Sequence, residues 1–246
     1  MTRLKPSWNS MKKYTKLFQH STLAALMSGL YEGTEEIGKI LEHGSFGIGT
    51  VENVDGELTV LDGKSYLAKA TGEVIQISND TKVPYAAVAN HNTTVLKKVI
   101  KETTNRNLMN LVRNNLVSEN LFHTVKITGI FKYVNLRVSP GANPGETFGD
   151  VAARQPEFTE KNISGTIVGI WTPELYSGMS LEGFHLHFLS DDKKFSGHII
   201  NLVMTEGIIE IGKIDQVVQN FPIDSKAFLT KNLDLKKIHK IILESE

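Results

Sequence analysis

The residues best suited to chemistry are three histidines in one short stretch, His185, His187 and His198. They occur in Gly183-Phe184-His185-Leu186-His187-Phe188 and in Gly197-His198. Alternate residues of a β-strand share a face and lie roughly 6.6–7 Å apart. His185 and His187 therefore point one way and Leu186 the other. Ser190-Asp191-Asp192-Lys193-Lys194 reads as a turn, and a strand returning beyond it brings His198 to the same face. Three neutral imidazoles with an open position beside them form a catalytic rather than a structural zinc pattern. Imidazoles also suit iron, copper and nickel. Hydrogen-bonded structural histidines are the plainer alternative. The other five histidines, His20, His43, His91, His123 and His239, show no such grouping.

Two more positions carry possible chemistry. Arg137 lies in Val134-Asn135-Leu136-Arg137-Val138-Ser139-Pro140-Gly141. Its planar fork suits two-point recognition of a carboxylate, against the simpler reading of a surface arginine at a strand end. Glu57 follows Asp55-Gly56, which reads first as an ordinary hairpin turn.

The composition limits the possibilities. The chain has 246 residues, 40% apolar and 22% charged, enough for one large domain or two small ones around a sizeable core. Basic and acidic residues balance at 27 each, so no overall charge steers it to nucleic acid or an anionic membrane. With no cysteine there is no disulfide, thiolate metal site or thiol nucleophile, and a metal must be held by His, Asp, Glu, carbonyl or water. No apolar run approaches the roughly 20 residues that span a bilayer. No signal peptide is read in the N-terminal residues, so a cytoplasmic location is expected, with the first residues poorly ordered.

The elements that must position these residues are mostly strands. Short helices are expected over Leu23–Tyr31, capped by Ser21 or Thr22 and ended by Gly33, and from Thr34 through Ile37, Ile40 and Leu41 to Gly44. Strands follow at Phe46–Val54, Glu57–Leu61, Ser65–Lys69 and Glu73–Ile77. Asp55-Gly56, Asp62-Gly63 and Thr71-Gly72 separate them as tight turns. Val83–Asn90 is a further strand. Asn92–Val117 reads as helical, with Leu108, Leu111, Val112 and Leu116 at helical spacing. The second half offers strands at Thr124–Arg137, Ile163–Trp171, Glu182–Leu189, Phe195–Met204, Ile208–Val217 and Lys237–Leu243. A helix is expected near Ser225–Lys231. Ser139–Glu146 is a Pro/Gly-rich loop, and Asn143–Lys161 is the most loop-like long segment, a place where function can sit.

In this order and spacing, five segments become recognisable: STLAALMSGLYEG, GIGTVENVDGELTVLDGKSY, KVPYAAV, NLRVSPGANPGE and GFHLHFLSDDKKFSGHI. Over nearly its whole length the chain resembles the α-acetolactate decarboxylases. That resemblance implies a zinc enzyme that converts acetolactate to acetoin and carbon dioxide. It places the metal ligands on His185, His187 and His198, the glutamate of the Asp-Gly-Glu motif on Glu57, and the carboxylate-binding arginine on Arg137. A glutamate near the C-terminus falls on Glu244, with Glu246 as its competitor, and Thr50 matches a residue near the site. The resemblance also implies a seven-stranded mixed sheet in the first half and a homodimer; the charge balance and the lack of a long apolar run lead us to expect no nucleic-acid or membrane partner.

The expected fold is mixed α/β and β-rich. Two sheet-forming halves, 1–122 and 123–246, carry helices between them, and the metal site lies on antiparallel strands of the second. A non-catalytic alternative remains open. The segment HLHFLSDDKKFSGHI also resembles the plant and prokaryote conserved domain, an assembly or interaction module. A metal hydro-lyase or hydrolase is the third reading. A cupin fits less well, because Asp191 and Asp192 stand where a glutamate is expected after the His-x-His pair.

Overall fold

The computed structural model describes residues 14–234 and Ile238. The first thirteen residues, the expected strand Lys237–Leu243 apart from Ile238, and the site candidates Glu244 and Glu246 lie outside the described residues.

In chain order the first elements are β1 (Lys16–His20), α1 (Leu23–Met27), β2 (Glu35–Glu36), α2 (Ile37–Leu41) and β3 (Phe46–Thr50). Next come β4 (Glu57–Leu61), β5 (Lys64–Ala68), β6 (Val74–Gln76), β7 (Lys82–Val83), β8 (Tyr85–Ala89), β9 (Val95–Val99) and β10 (Thr103–Thr104). They are followed by α3 (Asn105–Arg113), β11 (His123–Arg137), α4 (Phe148–Ala152) and β12 (Glu157–Thr172). The described chain ends with β13 (Gly183–Ser190), β14 (Ser196–Lys213), β15 (Gln216–Asn220) and α5 (Lys226–Thr230). Two 3₁₀ turns, Glu52–Val54 and Glu174–Tyr176, lie in the connections that leave β3 and β12.

One sheet has seven strands in the order β15-β1-β8-β3-β4-β5-β6. It is mixed, because β15 runs parallel to β1 while the other neighbours are antiparallel. The expectation that the first half supplies this sheet is corrected in one respect: β15 comes from the second half. The other large sheet is antiparallel, in the order β10-β14-β11-β12-β13, with β9 also on β14. β13 pairs again with β14, so β14, β11, β12 and β13 close into a ring of strands. Closure removes the exposed edge that β13 would otherwise present. The fold is mixed α/β and β-rich, as the sequence predicts, and the histidine cluster lies on antiparallel strands of the second half.

Side-chain alternation explains the packing. Phe131, Leu136, Ile127, Ile167 and Phe188 are fully buried inside the second sheet system, and Phe131 meets Phe188 edge to face at 5.2 Å. Burying each such side chain contributes about 1.5–3 kcal/mol. A second cluster joins the two sheets: Phe46, Ile48 and Leu61 of the first pack with Val168, Ile170 and Leu189 of the second. Among the described residues no helix is long and apolar enough to cross a membrane.

Several expected elements differ. α1 stops at Met27, where Ser28 caps it and Gly29 takes φ +93, well before Gly33. Asn92–Val117 is helical only over α3, where Leu108 and Val112 are buried; Val95–Val99 instead pairs with β14. Phe195–Met204 and Ile208–Val217 are largely one strand, β14. Gly207 and Gly129 meet there so closely that an added Cβ on Gly207 would lie 2.3 Å from the Thr128 carbonyl oxygen. Asp62-Gly63 makes the expected tight turn, whereas β3 and β4 are joined by the longer connection that holds the first 3₁₀ turn. The loop-like Asn143–Lys161 contains α4 and the start of β12.

Candidate metal centre

The three histidines converge. β13 and β14 run antiparallel and set His187 directly opposite His198. His185 shares a face with His187 two residues along β13, while Leu186 and Phe188 enter the core on the other face. One ring nitrogen from each histidine lies within 4.8 Å of the other two. The ring centroids are 5.1–5.7 Å apart.

His187 is fully buried, and its orientation is fixed from the neighbouring sheet. Its Nδ1–H donates to the Leu58 carbonyl oxygen of β4 at 2.9 Å, with Thr59 Oγ1 beside it at 3.4 Å. That bond assigns the tautomer and leaves the Nε2 lone pair aimed into the cluster. Nε2 is buried and has no hydrogen-bond partner among the described residues. It faces Glu57 Oε2 at 3.4 Å. Both atoms are acceptors, so the contact is neither a hydrogen bond nor, with a neutral ring, an ion pair. A buried lone pair beside a carboxylate oxygen is an unfavourable contact that a cation held by the imidazoles would relieve. A carbonyl that holds the far nitrogen of an imidazole is also the usual support for a metal ligand.

The electrostatics keep the rings neutral, as metal ligation requires. Burial pushes His187 down to about 4, opposed by its bond to Leu58 and reinforced by the Arg137 charge. Burial likewise holds His185 well below its ordinary value, with His187 and Arg137 adding to the effect. His198 is lowered in the same way by burial, then by His185, Arg137 and His187.

Glu57 opens β4, and the turn before it is strained to present it. Val54, a β-branched residue, sits at φ +49, a conformation that costs on the order of 1–3 kcal/mol. Gly56 follows at φ +124, where a Cβ would lie 2.4 Å from the Ala68 carbonyl oxygen. The turn is held by Thr50 Oγ1, which donates to the Gly56 carbonyl oxygen at 2.8 Å, and by Ser139, whose hydroxyl donates to the Val54 carbonyl oxygen. The Ser139 backbone N–H donates to Glu57 Oε1 at 3.2 Å, which aims Oε2 at the histidines.

Arg137 ends β11, with His198 and Glu157 as its cross-strand partners. It shares a cavity with His185, His198, Glu57, Thr50 and Ser139, of about 490 Å³ counting its mouth. The lining also has an apolar part: Leu23, Leu26 and Met27 of α1, Val54, and Phe148 of α4. Gly49 and Gln155 complete the lining. The structure thus gathers His185, His187, His198, Glu57, Arg137 and Thr50 in one place. Glu244 and Glu246 lie outside the described residues. Sequence reasoning misses the apolar wall, the Leu58 carbonyl, Ser139 and Gln155. Phe148 and Gln155 do fall in the long loop-like segment where function is expected to sit.

The donor set fits a divalent ion. Three neutral nitrogens converge, one with an orphaned lone pair, and the cavity leaves further positions for ligand oxygens.

The alpha-acetolactate decarboxylase family model matches residues 17–235. The chain is 47% identical over 232 residues to the alpha-acetolactate decarboxylase of Lactococcus lactis subsp. cremoris, covering 94% of this chain and 98% of that one. It is 46% identical over 239 residues to the Streptococcus thermophilus enzyme of the same name, covering 96% and 100%. The crystal structure of alpha-acetolactate decarboxylase from Bacillus subtilis superposes with a TM-score of 0.90 at 29% identity, over 94% of this chain and 99% of that one. The match runs through both halves, whereas the interaction-module alternative rests on the second half alone. The chain belongs to the alpha-acetolactate decarboxylase family, a family of carboxy-lyases.

Proposed function

We propose that the chain decarboxylates 2-acetolactate to acetoin and carbon dioxide, as a step toward acetoin, with one zinc ion held by His185, His187 and His198. The observation that carries this reading is the buried, unpartnered Nε2 of His187, which faces Glu57, a residue that lines one cavity with Arg137, His185 and His198.

The substrate has a carboxylate, a hydroxyl and a ketone on adjacent carbons. As the bond to the carboxylate carbon breaks, its electron pair moves toward the ketone oxygen, and the carbon left behind must then take a proton. A divalent ion at the three imidazoles would supply Lewis-acid stabilisation of that developing charge, worth several kcal/mol. Arg137 orients the carboxylate with its planar fork. It must not hold the carboxylate so tightly that departure is slowed, because binding that is equal in ground and transition states gives no acceleration. Glu57, aimed by the Ser139 N–H, takes a proton from water and passes it to the carbon, with a C-terminal glutamate, Glu244 or Glu246, as its partner. The apolar wall of α1 and Phe148 faces the two methyl groups and excludes water. Thr50 acts by fixing the turn that carries Glu57. A homodimer in the cytoplasm completes the reading.

The test is an acetoin assay on purified protein, paired with elemental analysis. The reading expects close to one zinc per chain and decarboxylation that is lost on chelation and restored by zinc. Full turnover by metal-free protein, or no acetoin from the metal-loaded protein, refutes it.

A further inference from the structure

Gln155 lines the cavity beside Arg137, yet no part of the reaction described above uses it. Its chain neighbours are anchored on both sides. Arg154 binds Glu146 and the Gly141 carbonyl, and the Pro156 carbonyl accepts from Val138 N–H at 3.2 Å. Arg137 and Glu157 are cross-strand partners immediately beyond. The Gln155 side chain is therefore presented from an anchored segment. Its Oε1 is buried and has no hydrogen-bond partner among the described residues. A buried acceptor left unpaired is a net cost to the fold. Such a cost is tolerated where a ligand supplies the donor.

We propose that Gln155 is a substrate-binding residue whose amide oxygen accepts a hydrogen bond from the hydroxyl on the carbon that loses carbon dioxide. The chemistry selects this group. In the substrate of the proposed reaction, on which this inference rests, the carboxylate and ketone only accept, and the hydroxyl alone donates. Arg137 takes the carboxylate, so an acceptor in the same cavity reads the neighbouring hydroxyl. With both contacts made, rotation about the bond to be broken is fixed. A site built to pair with a hydroxyl also discriminates against an analogue that lacks it.

The test uses two unreactive acids that differ only in that hydroxyl, 2-hydroxy-2-methylbutanoate and 2-methylbutanoate. Their dissociation constants are measured by calorimetry on the zinc-loaded protein. Gln155→Met, close in shape, is compared with wild type, and Gln155→Leu serves as a second variant. The proposal expects wild type to prefer the hydroxy acid. The variants should cut that preference by roughly three- to tenfold, the worth of one neutral hydrogen bond. Binding of 2-methylbutanoate should be unchanged. The variants' Tm should be equal to wild type or higher, since an unpaired oxygen has been removed; a purely structural role would lower it. An unchanged preference, or an equal loss for both acids, overturns the role of Gln155 while leaving the decarboxylase reading intact. Wild type that binds neither acid and makes no acetoin overturns both.

Discussion

Glu57→Gln changes one atom's chemistry while keeping the side-chain shape. Glu57 Oε1 accepts from the Ser139 N–H at 3.2 Å, and Oε2 stands 3.4 Å from His187 Nε2. In the variant the amide oxygen stays on Ser139, because the amide nitrogen there would set donor against donor. The amide nitrogen is then forced toward the imidazoles, where it neither attracts a cation nor moves a proton. Loss of a positioned proton donor costs about 10²–10⁴ in rate. That corresponds to roughly 2.7–5.5 kcal/mol of barrier. The three imidazoles remain, so zinc content should stay near one per chain. Steady-state turnover of acetolactate, with zinc measured on the same preparation, checks both halves. Turnover within about fivefold of wild type would show that Glu57 does not handle the proton. Loss of zinc with the fold intact would show that it is a ligand instead.

Other perturbations test other links. Arg137→Lys keeps the charge but loses the planar fork, so kcat/KM for acetolactate should fall about 10- to 100-fold; unchanged kinetics reject carboxylate recognition by Arg137. Phe131→Ala empties a fully buried site that packs edge-on against Phe188. The cost is about 3–5 kcal/mol, which should lower Tm by roughly 6–20 °C in a thermal melt. His123 is buried with Nδ1–H donating to the Leu121 carbonyl and Nε2 accepting from Val117 N–H, and burial lowers its pKa. The unfolded chain thus binds a proton more readily than the fold does. The stability from His123 is full above the unfolded histidine value of about 6.5 and declines as pH falls toward the lowered folded value. Wild type should lose stability faster than His123→Gln below that pH, by at most about 1.4 kcal/mol per pH unit; parallel pH profiles by denaturant unfolding would contradict this.

Local signals make part of the molecule readable. β4 matches its expected bounds because a Gly precedes it and Asp62-Gly63 follows, a pair that accepts positive φ at both positions. The His-x-His face and the returning His198 are legible because strand periodicity and a charged turn are properties of neighbouring residues. Val95–Val99 reads as helix because its two lysines and two valines fit either period, and only pairing with β14 makes it a strand. Gly207 looks like a break between strands. It instead lets β14 pass close to Gly129, a contact between residues distant in sequence. Gln155 falls in the loop-like segment where function is expected, but nothing local singles it out, since an unpaired amide oxygen exists only in the folded cavity. The Leu58 carbonyl that orients His187 is equally invisible to any reading of side-chain types.

Anomalous X-ray diffraction at the zinc absorption edge, from crystals of the protein purified without chelator, tests the metal centre most directly. One strong peak is expected among His185, His187 and His198, about 2.0–2.1 Å from a nitrogen of each. It should be coordinated through His187 Nε2 while Nδ1 keeps its bond to Leu58. A fully active crystal with no peak there, or with its only peak elsewhere, would contradict the account.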